Sequence, residues 1–267
     1  MLARAKDFLR GRFDTEQRVK MRKWQSLHWR GPQHALYRLL FGGNLKALAM
    51  VYGSDKWGAH WYAEEYERHF APMRLQNLKI LEIGIGGYDD AELGGASLRM
   101  WRTYFPNAQI YGLDICDKHL HDERRIKTFQ GSQADEALLG RIVEETGPLD
   151  IIIDDGSHRN EHILASFKYL FPHVSENGWY VVEDVQTSYW TDYGGAVDVP
   201  ARQNTAMGFL KSLADGLNHL EYRTHNYEPT YYDRNIVGLH FYRNLVFVRK
   251  GRHVDADGGG RSHPKEN

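Results

Sequence analysis

Between residues 79 and 183, short apolar runs alternate with stretches in which apolar positions recur every three or four residues. Lys79–Ile83, Gln109–Leu113, Ile126–Phe129, Leu149–Asp154 and Gly178–Glu183 are rich in β-branched and aromatic residues and predict strands. Ala96–Phe105, Glu136–Thr146 and Asn160–Phe171 carry the helical period. Strands alternating with helices imply right-handed βαβ crossovers, and hence a doubly wound, mostly parallel α/β sheet. GLHFYRNLVFVRK (238–250) adds two strands about Arg243-Asn244, an antiparallel C-terminal hairpin at the sheet edge.

Ahead of the sheet the pattern is helical, over Asp14–Ser26, His34–Phe41 and the aromatic-rich His60–Phe70. Gly31-Pro32, Gly42-Gly43 and the polar joint YGSDKWG (52–58) break it. The final residues are polar and glycine-rich and read as a disordered tail. This organisation gives an N-terminal helical segment over 1–58, an α/β domain over 59–250 and a tail over 251–267.

Composition changes this picture little, and charge changes it more. The first forty residues hold ten Lys/Arg against three Asp/Glu, so a net charge of −1 leaves about −8 on the remainder. An acidic body argues against an enzyme that grips nucleic-acid phosphates. The basic N-terminus reads as a solvated helix face, with peripheral contact to an anionic membrane as the alternative. No run approaches the ~20 apolar residues of a membrane span, and the N-terminus lacks the apolar core of a secretory signal. The single cysteine, Cys116, excludes an internal disulfide and suits a reducing compartment. A cytoplasmic location is the expectation, with homo-oligomerisation left open.

Chemistry is expected at the carboxyl ends of the strands. The first strand leads into LEIGIGGYDDAELGG (81–95), which lacks the G-x-G-x-x-G dinucleotide pattern and carries Asp89, Asp90 and Glu92. Those acids oppose a pyrophosphate but not a donor bearing a sulfonium and an ammonium group, and S-adenosylmethionine (SAM) is such a donor. Gly84 and Gly86 permit close backbone approach, Glu82 is placed to meet the ammonium, and Asp114 to bind the ribose hydroxyls. Gln130, Gly131, Ser132 and Gln133 (QGSQ) are placed to edge the adenine. A simple tight turn is the bland account of the glycines, and NAD would use the same acid at 114.

Two further strand ends are acidic. LDIIIDDGSH (149–158) ends in Asp154, Asp155 and His158, and GWYVVED (178–184) ends in Glu183 and Asp184. If those strands are neighbours, their tips lie about 4.8 Å apart. So many carboxylates repel one another unless a cation intervenes, and hard oxygen donors favour Mg²⁺ or a similar divalent ion. Such an ion acidifies a hydroxyl, and a base near neutrality then takes its proton. His158 is the candidate base. One of Asp154 and Asp155 is expected to bind backbone instead of metal.

The runs ILEIGIGGY, YFPNAQIYGLDI, RIKTFQGSQAD, IIIDDGSH and VVEDVQTSYW resemble the Mg²⁺-dependent macrolide-sugar O-methyltransferases, over roughly residues 50–250. The resemblance implies a class I, Rossmann-like methyltransferase fold, SAM as donor and methyl transfer to a sugar hydroxyl of a glycosylated metabolite or glycan. It implies Asp155, Glu183 and Asp184 as metal ligands, His158 as general base, and the segment around Ser54 closing over the cofactor. Asp154 is assigned to the cofactor. The alternatives are a Mg²⁺-dependent methyltransferase of catechols or other phenols and a SAM-binding protein without turnover. The aromatic segments Trp190–Gly195 and Asn226–Asn235 are expected to face the acceptor.

Overall fold

The computed structural model describes residues 32–202, 204–224 and 226–253, together with Lys20 and Lys23. The expected helix Asp14–Ser26 therefore lies outside the described residues except at those two lysines, as does the tail from residue 254.

Seven strands form one sheet, β1 (Lys79–Ile83), β2 (Gln109–Asp114), β3 (Ile126–Gln130), β4 (Leu149–Asp154), β5 (Val174–Glu183), β6 (Ile236–Tyr242) and β7 (Leu245–Lys250). Their order is β3-β2-β1-β4-β5-β7-β6. The pairs β2–β3, β1–β4 and β4–β5 are parallel, while β7 joins β5 and β6 antiparallel. This is the doubly wound sheet with a C-terminal hairpin that the apolar pattern predicts. The helices are α1 (Pro32–Phe41), α2 (Leu45–Tyr52), α3 (Ala63–Phe70), α4 (Ala96–Tyr104), α5 (Glu136–Thr146), α6 (Asn160–Leu170), α7 (Ala206–Gly216) and α8 (Tyr231–Asn235). Among the described residues no helix is long and apolar enough to cross a membrane.

The chain clusters into two compact units. One comprises residues up to Asn77 with Ile85–Gly131, and the other Leu78–Gly84 with residues from Ser132 onward. In the first, the buried rings of Tyr66, Phe70, Trp101, Tyr104 and Phe105 pack edge-on and tilted at centroid distances of 4.9–6.2 Å. Edge-to-face packing suits their quadrupoles. They join α3 to α4, so the aromatic-rich segment before the sheet serves as core.

In the second unit β4 reads Leu-Asp-Ile-Ile-Ile-Asp, and all its apolar residues are 0 % exposed. An interior parallel strand is covered on both faces, which explains an apolar run in place of alternation. Phe167, Phe171, Tyr180, Phe209 and Tyr232 form its aromatic core. Tyr232 belongs to α8, within the segment Asn226–Asn235 expected to face the acceptor. That segment is tied inward by a capping box between Thr230 and Asp233 and by the Tyr227 hydroxyl donating to Asp233 at 2.7 Å. The start of the expected tail is also ordered. The Gly251 N–H donates to the Asn235 carbonyl at 3.0 Å, and His253 Nε2 lies 2.9 Å from the Ile236 carbonyl.

Candidate active site

β4 and β5 are hydrogen-bonded neighbours, with Asp154 in register with Val182, so Asp155 and Glu183-Asp184 emerge at adjacent strand tips. Asp155, His158 and Asp184 converge there, and their ligand atoms all lie within 4.8 Å of one another. His158 Nε2 is 3.7 Å from Asp184 Oδ2 and 4.0 Å from Asp155 Oδ1. Two of the three residues hold a left-handed backbone, His158 at φ 56° and Asp184 at φ 52°. Non-glycine residues in that region cost about 1–3 kcal/mol each and persist where the surroundings impose them. Here the strained backbone turns both side chains onto one point.

Asp154 takes a different part. Its carboxylate is 1 % exposed and accepts hydrogen bonds from Ser166 Oγ (2.5 Å), Gln133 Nε2 (2.9 Å) and the Tyr180 hydroxyl (3.1 Å). Burial pushes its pKa up, against the pull of those donors and of His158. Burial and the Asp154 charge likewise raise the Tyr180 phenol. Of the two adjacent aspartates, Asp154 is thus the one consumed by protein contacts. Glu183 is 1 % exposed and, by strand alternation, projects from the sheet face opposite Asp154. It is not a member of the Asp155–His158–Asp184 cluster.

Gln133 is bonded at both ends of its amide. Nε2 donates to Asp154, and Oε1 accepts the Ser157 N–H at 2.8 Å. A Cβ on Gly156 would fall 2.2 Å from Oε1, so the loop between Asp155 and His158 closes tightly on this side chain. The expectation of an adenine contact rested on sequence position, whereas the amide is a strut between β4 and that loop. Outer partners of this kind typically contribute 10–100-fold to metal affinity. Gln133→Leu should therefore weaken divalent-ion binding by about 10–100-fold, checked by Mn²⁺ calorimetry; unchanged affinity would remove the strut from the account.

Asn160, at the start of α6, escaped the sequence analysis. It is 1 % exposed and saturated: Nδ2 donates to the Thr187 (3.1 Å) and Tyr193 (3.0 Å) carbonyls. Its Oδ1 accepts Ser188 Oγ (3.1 Å) and the Ala206 N–H (2.7 Å). One amide thus fixes the chain that follows Asp184, including part of Trp190–Gly195. A signal existed in an Asn two residues after His158, but helix-start asparagines are too common to single it out.

Gly84 has φ 89°, and a Cβ there would lie 2.0 Å from the Asp155 carbonyl oxygen. Its need for glycine arises from that φ together with the close Asp155–Gly156 backbone. Gly84→Ala should cost about 2–5 kcal/mol, combining a strained φ with overpacking; urea denaturation reads this as a lowered midpoint, and an unchanged one would contradict the contact. Glu82, on β1 two residues ahead of Gly84, is 0 % exposed.

The remaining expected cofactor residues lie in the first unit, apart from Ser132. Gly86 has φ 77° and open space where a Cβ would stand. Asp114 accepts the Ile85 N–H on Oδ2 (2.8 Å) and the Cys116 N–H on Oδ1 (2.9 Å), which leaves a lone pair on each oxygen. Gln130 is exposed at the end of β3, and the Gly131 N–H donates to the Asp114 carbonyl at 2.8 Å. In the second unit, Ser132 Oγ accepts the Ala134 N–H. Ser54 is buried, its hydroxyl 3.4 Å from the Lys56 nitrogen.

Lys23 Nζ pairs with Asp90 (2.8 Å) and Glu92 (2.9 Å), and the fully buried Lys118 donates to the Asp90 and Leu93 carbonyls. Two of the three loop acids are thereby offset, so the loop's charge discriminates less between SAM and a dinucleotide than the sequence suggests.

No protein-family model matches the chain. It is 51% identical to the mycinamicin VI 2''-O-methyltransferase of Micromonospora griseorubida, over 81% of this chain and 54% of that protein. It is 48% identical to the 8-demethyl-8-α-L-rhamnosyl tetracenomycin-C 2'-O-methyltransferase of Streptomyces olivaceus, over 83% and 58% respectively. The chain spans little more than half the length of these relatives. Among solved structures, the mycinamycin-pathway methyltransferase MycE in complex with Mg, SAH and mycinamycin VI aligns with a TM-score of 0.75 at 51% identity. That alignment covers 78% of this chain and 54% of that one. By sequence and fold together, the chain is similar to these sugar O-methyltransferases over little more than half of their length and shares the class I methyltransferase fold.

Proposed function

We propose that the chain is a SAM-dependent O-methyltransferase acting on a sugar hydroxyl of a glycosylated small molecule, with a divalent cation of the Mg²⁺ type at the β4–β5 tips. The observation that carries this reading is the convergence of Asp155, His158 and Asp184 within 4.8 Å. The donor set fits such an ion, because two carboxylates and an imidazole are brought together without any thiolate. Asp155 and Asp184 would hold it, with Glu183 from the same strand end as a third carboxylate. A bound ion there supplies Lewis acidity, lowering the pKa of the acceptor hydroxyl.

His158 does the proton transfer. As the hydroxyl O–H bond breaks, Nε2 accepts the proton, and the oxygen forms its bond to the methyl carbon. The S–CH₃ bond of SAM breaks in line and S-adenosylhomocysteine leaves. Glu82, Gly84, Gly86, Asp114, Gln130, Gly131 and Ser132 would hold the donor, with Ser54 in the segment that covers it. Gln133 and Asp154 support this corner by bonding to each other. Positioning of the two reactants supplies much of the acceleration. The relatives' acceptors are macrolide and tetracenomycin glycosides, and a glycoside of that chemical kind is the acceptor assigned here.

The test is to incubate the full chain with SAM, Mg²⁺ and mycinamicin VI, and to follow products by mass spectrometry. Addition of one methyl group, abolished by EDTA and restored by Mg²⁺, is expected. Transfer that persists in EDTA would overturn the metal's role, and SAM binding without transfer to any glycoside would overturn the acceptor class.

A further inference from the structure

Wholly within the first unit, a cavity of about 360 Å³ is lined by Arg38, Arg102, Arg124, Arg125, Pro106 and Glu123. Four arginines share it with one glutamate, whose carboxylate is already engaged. Glu123 pairs with Arg99 at 3.1 Å and Arg102 at 2.8 Å. Among the described residues the guanidiniums of Arg38 and Arg124 make no ion pair, and both residues are exposed.

Arg125 and Arg102 form a fixed base. Arg125 donates to the carbonyls of Ala108 (2.8 Å), Arg102 (3.0 Å) and Phe105 (3.1 Å), from a residue with φ 69°. Arg102 donates to the Arg124 carbonyl and reaches Glu123. Folding thus holds like charges together: burial, and then the charges of Arg102, Arg124 and Arg38, lower the Arg125 pKa. A chain does not gain from such crowding unless an anion offsets it.

We infer that this cavity is an anion site for a diphosphate-bearing small molecule. The charge count selects the class. With Glu123 deducted, about three positive charges remain, more than a single carboxylate or phosphate monoester neutralises but close to the charge of a diphosphate. Guanidinium forks match phosphate oxygens bidentately. The volume exceeds what a diphosphate alone fills and lies in the range of small-molecule pockets, so the group arrives free or on a carrier such as a nucleoside.

The experiment is calorimetry on the full chain at low salt, without added divalent ion, using inorganic pyrophosphate in one arm and a nucleoside diphosphate in the other. Saturable 1:1 binding that weakens with salt is expected, with roughly 100-fold loss in the Arg38→Gln/Arg124→Gln double variant as two charge-assisted contacts disappear. Tighter binding of the nucleotide identifies a nucleotide ligand; equal binding identifies the free diphosphate. Both replaced side chains are exposed, and an unchanged thermal unfolding midpoint shows that the variant remains folded. Absence of binding by either probe, or equal binding by the double variant, overturns the proposal. Because no residue of the cavity takes part in the proposed methyl transfer, this result is independent of the one that tests that reading.

Discussion

Asp184→Ala is expected to lower kcat by roughly 10³-fold, with SAM affinity unchanged. A metal that stabilises transition-state charge supplies several kcal/mol, and about 4 kcal/mol corresponds to three powers of ten. Asp184 is the stronger choice than Glu183 because its carboxylate is in the cluster with Asp155 and His158. Its side chain is 13 % exposed, enough for an ion and an acceptor to reach it. Asp184→Asn, which preserves shape and tolerates a left-handed backbone, should fall nearly as far, since charge rather than volume is what the site loses. Steady-state kinetics alongside calorimetry with S-adenosylhomocysteine separate the two effects. A variant with wild-type kcat would show that these carboxylates do not serve the reaction.

The second large effect belongs to His158. General-base catalysis contributes about 10²–10⁴-fold, and His158→Asn should reduce kcat within that range while donor affinity stays constant. Asn is preferred over Ala because position 158 has φ 56°, a conformation that Asn adopts more readily. The result also discriminates between acceptors: a phenol ionises near pH 10, whereas a sugar hydroxyl ionises far higher, so a phenol methyltransferase would lose little. An Asn variant that keeps full activity on glycosides would remove His158 as the base.

The sheet was legible because its strands and helices have different periods. β1 and β4 and the helix Glu136–Thr146 match the predicted bounds, since Gly147, Asp135 and the isoleucine run punctuate the chain locally. The helix Leu45–Tyr52 was hidden because it is apolar on most sides and lies beside the Gly42-Gly43 break. Within Asn226–Asn235, the segment expected to face the acceptor, the helix Tyr231–Asn235 was not legible because its tyrosines resemble a binding surface in isolation. Only the tertiary contact of Tyr232 with Phe167 and Phe209 shows that side chain as core.

At the site, the acidic strand ends were readable, yet which aspartate is consumed was not. That choice depends on Ser166 and Tyr180, twelve and twenty-six residues from Asp154, and on Gln133. The pairing of Lys23 with Asp90 and Glu92 spans nearly seventy residues, and no local pattern reveals it.

The most direct test is Mn²⁺ titration of the full chain, followed by electron paramagnetic resonance. One bound Mn²⁺ per chain is predicted for the wild type and for Asp117→Asn, a control at an exposed aspartate paired with His119, with binding abolished in Asp155→Asn/Asp184→Asn. Undiminished binding in the double variant would contradict a cation held between the β4 and β5 tips.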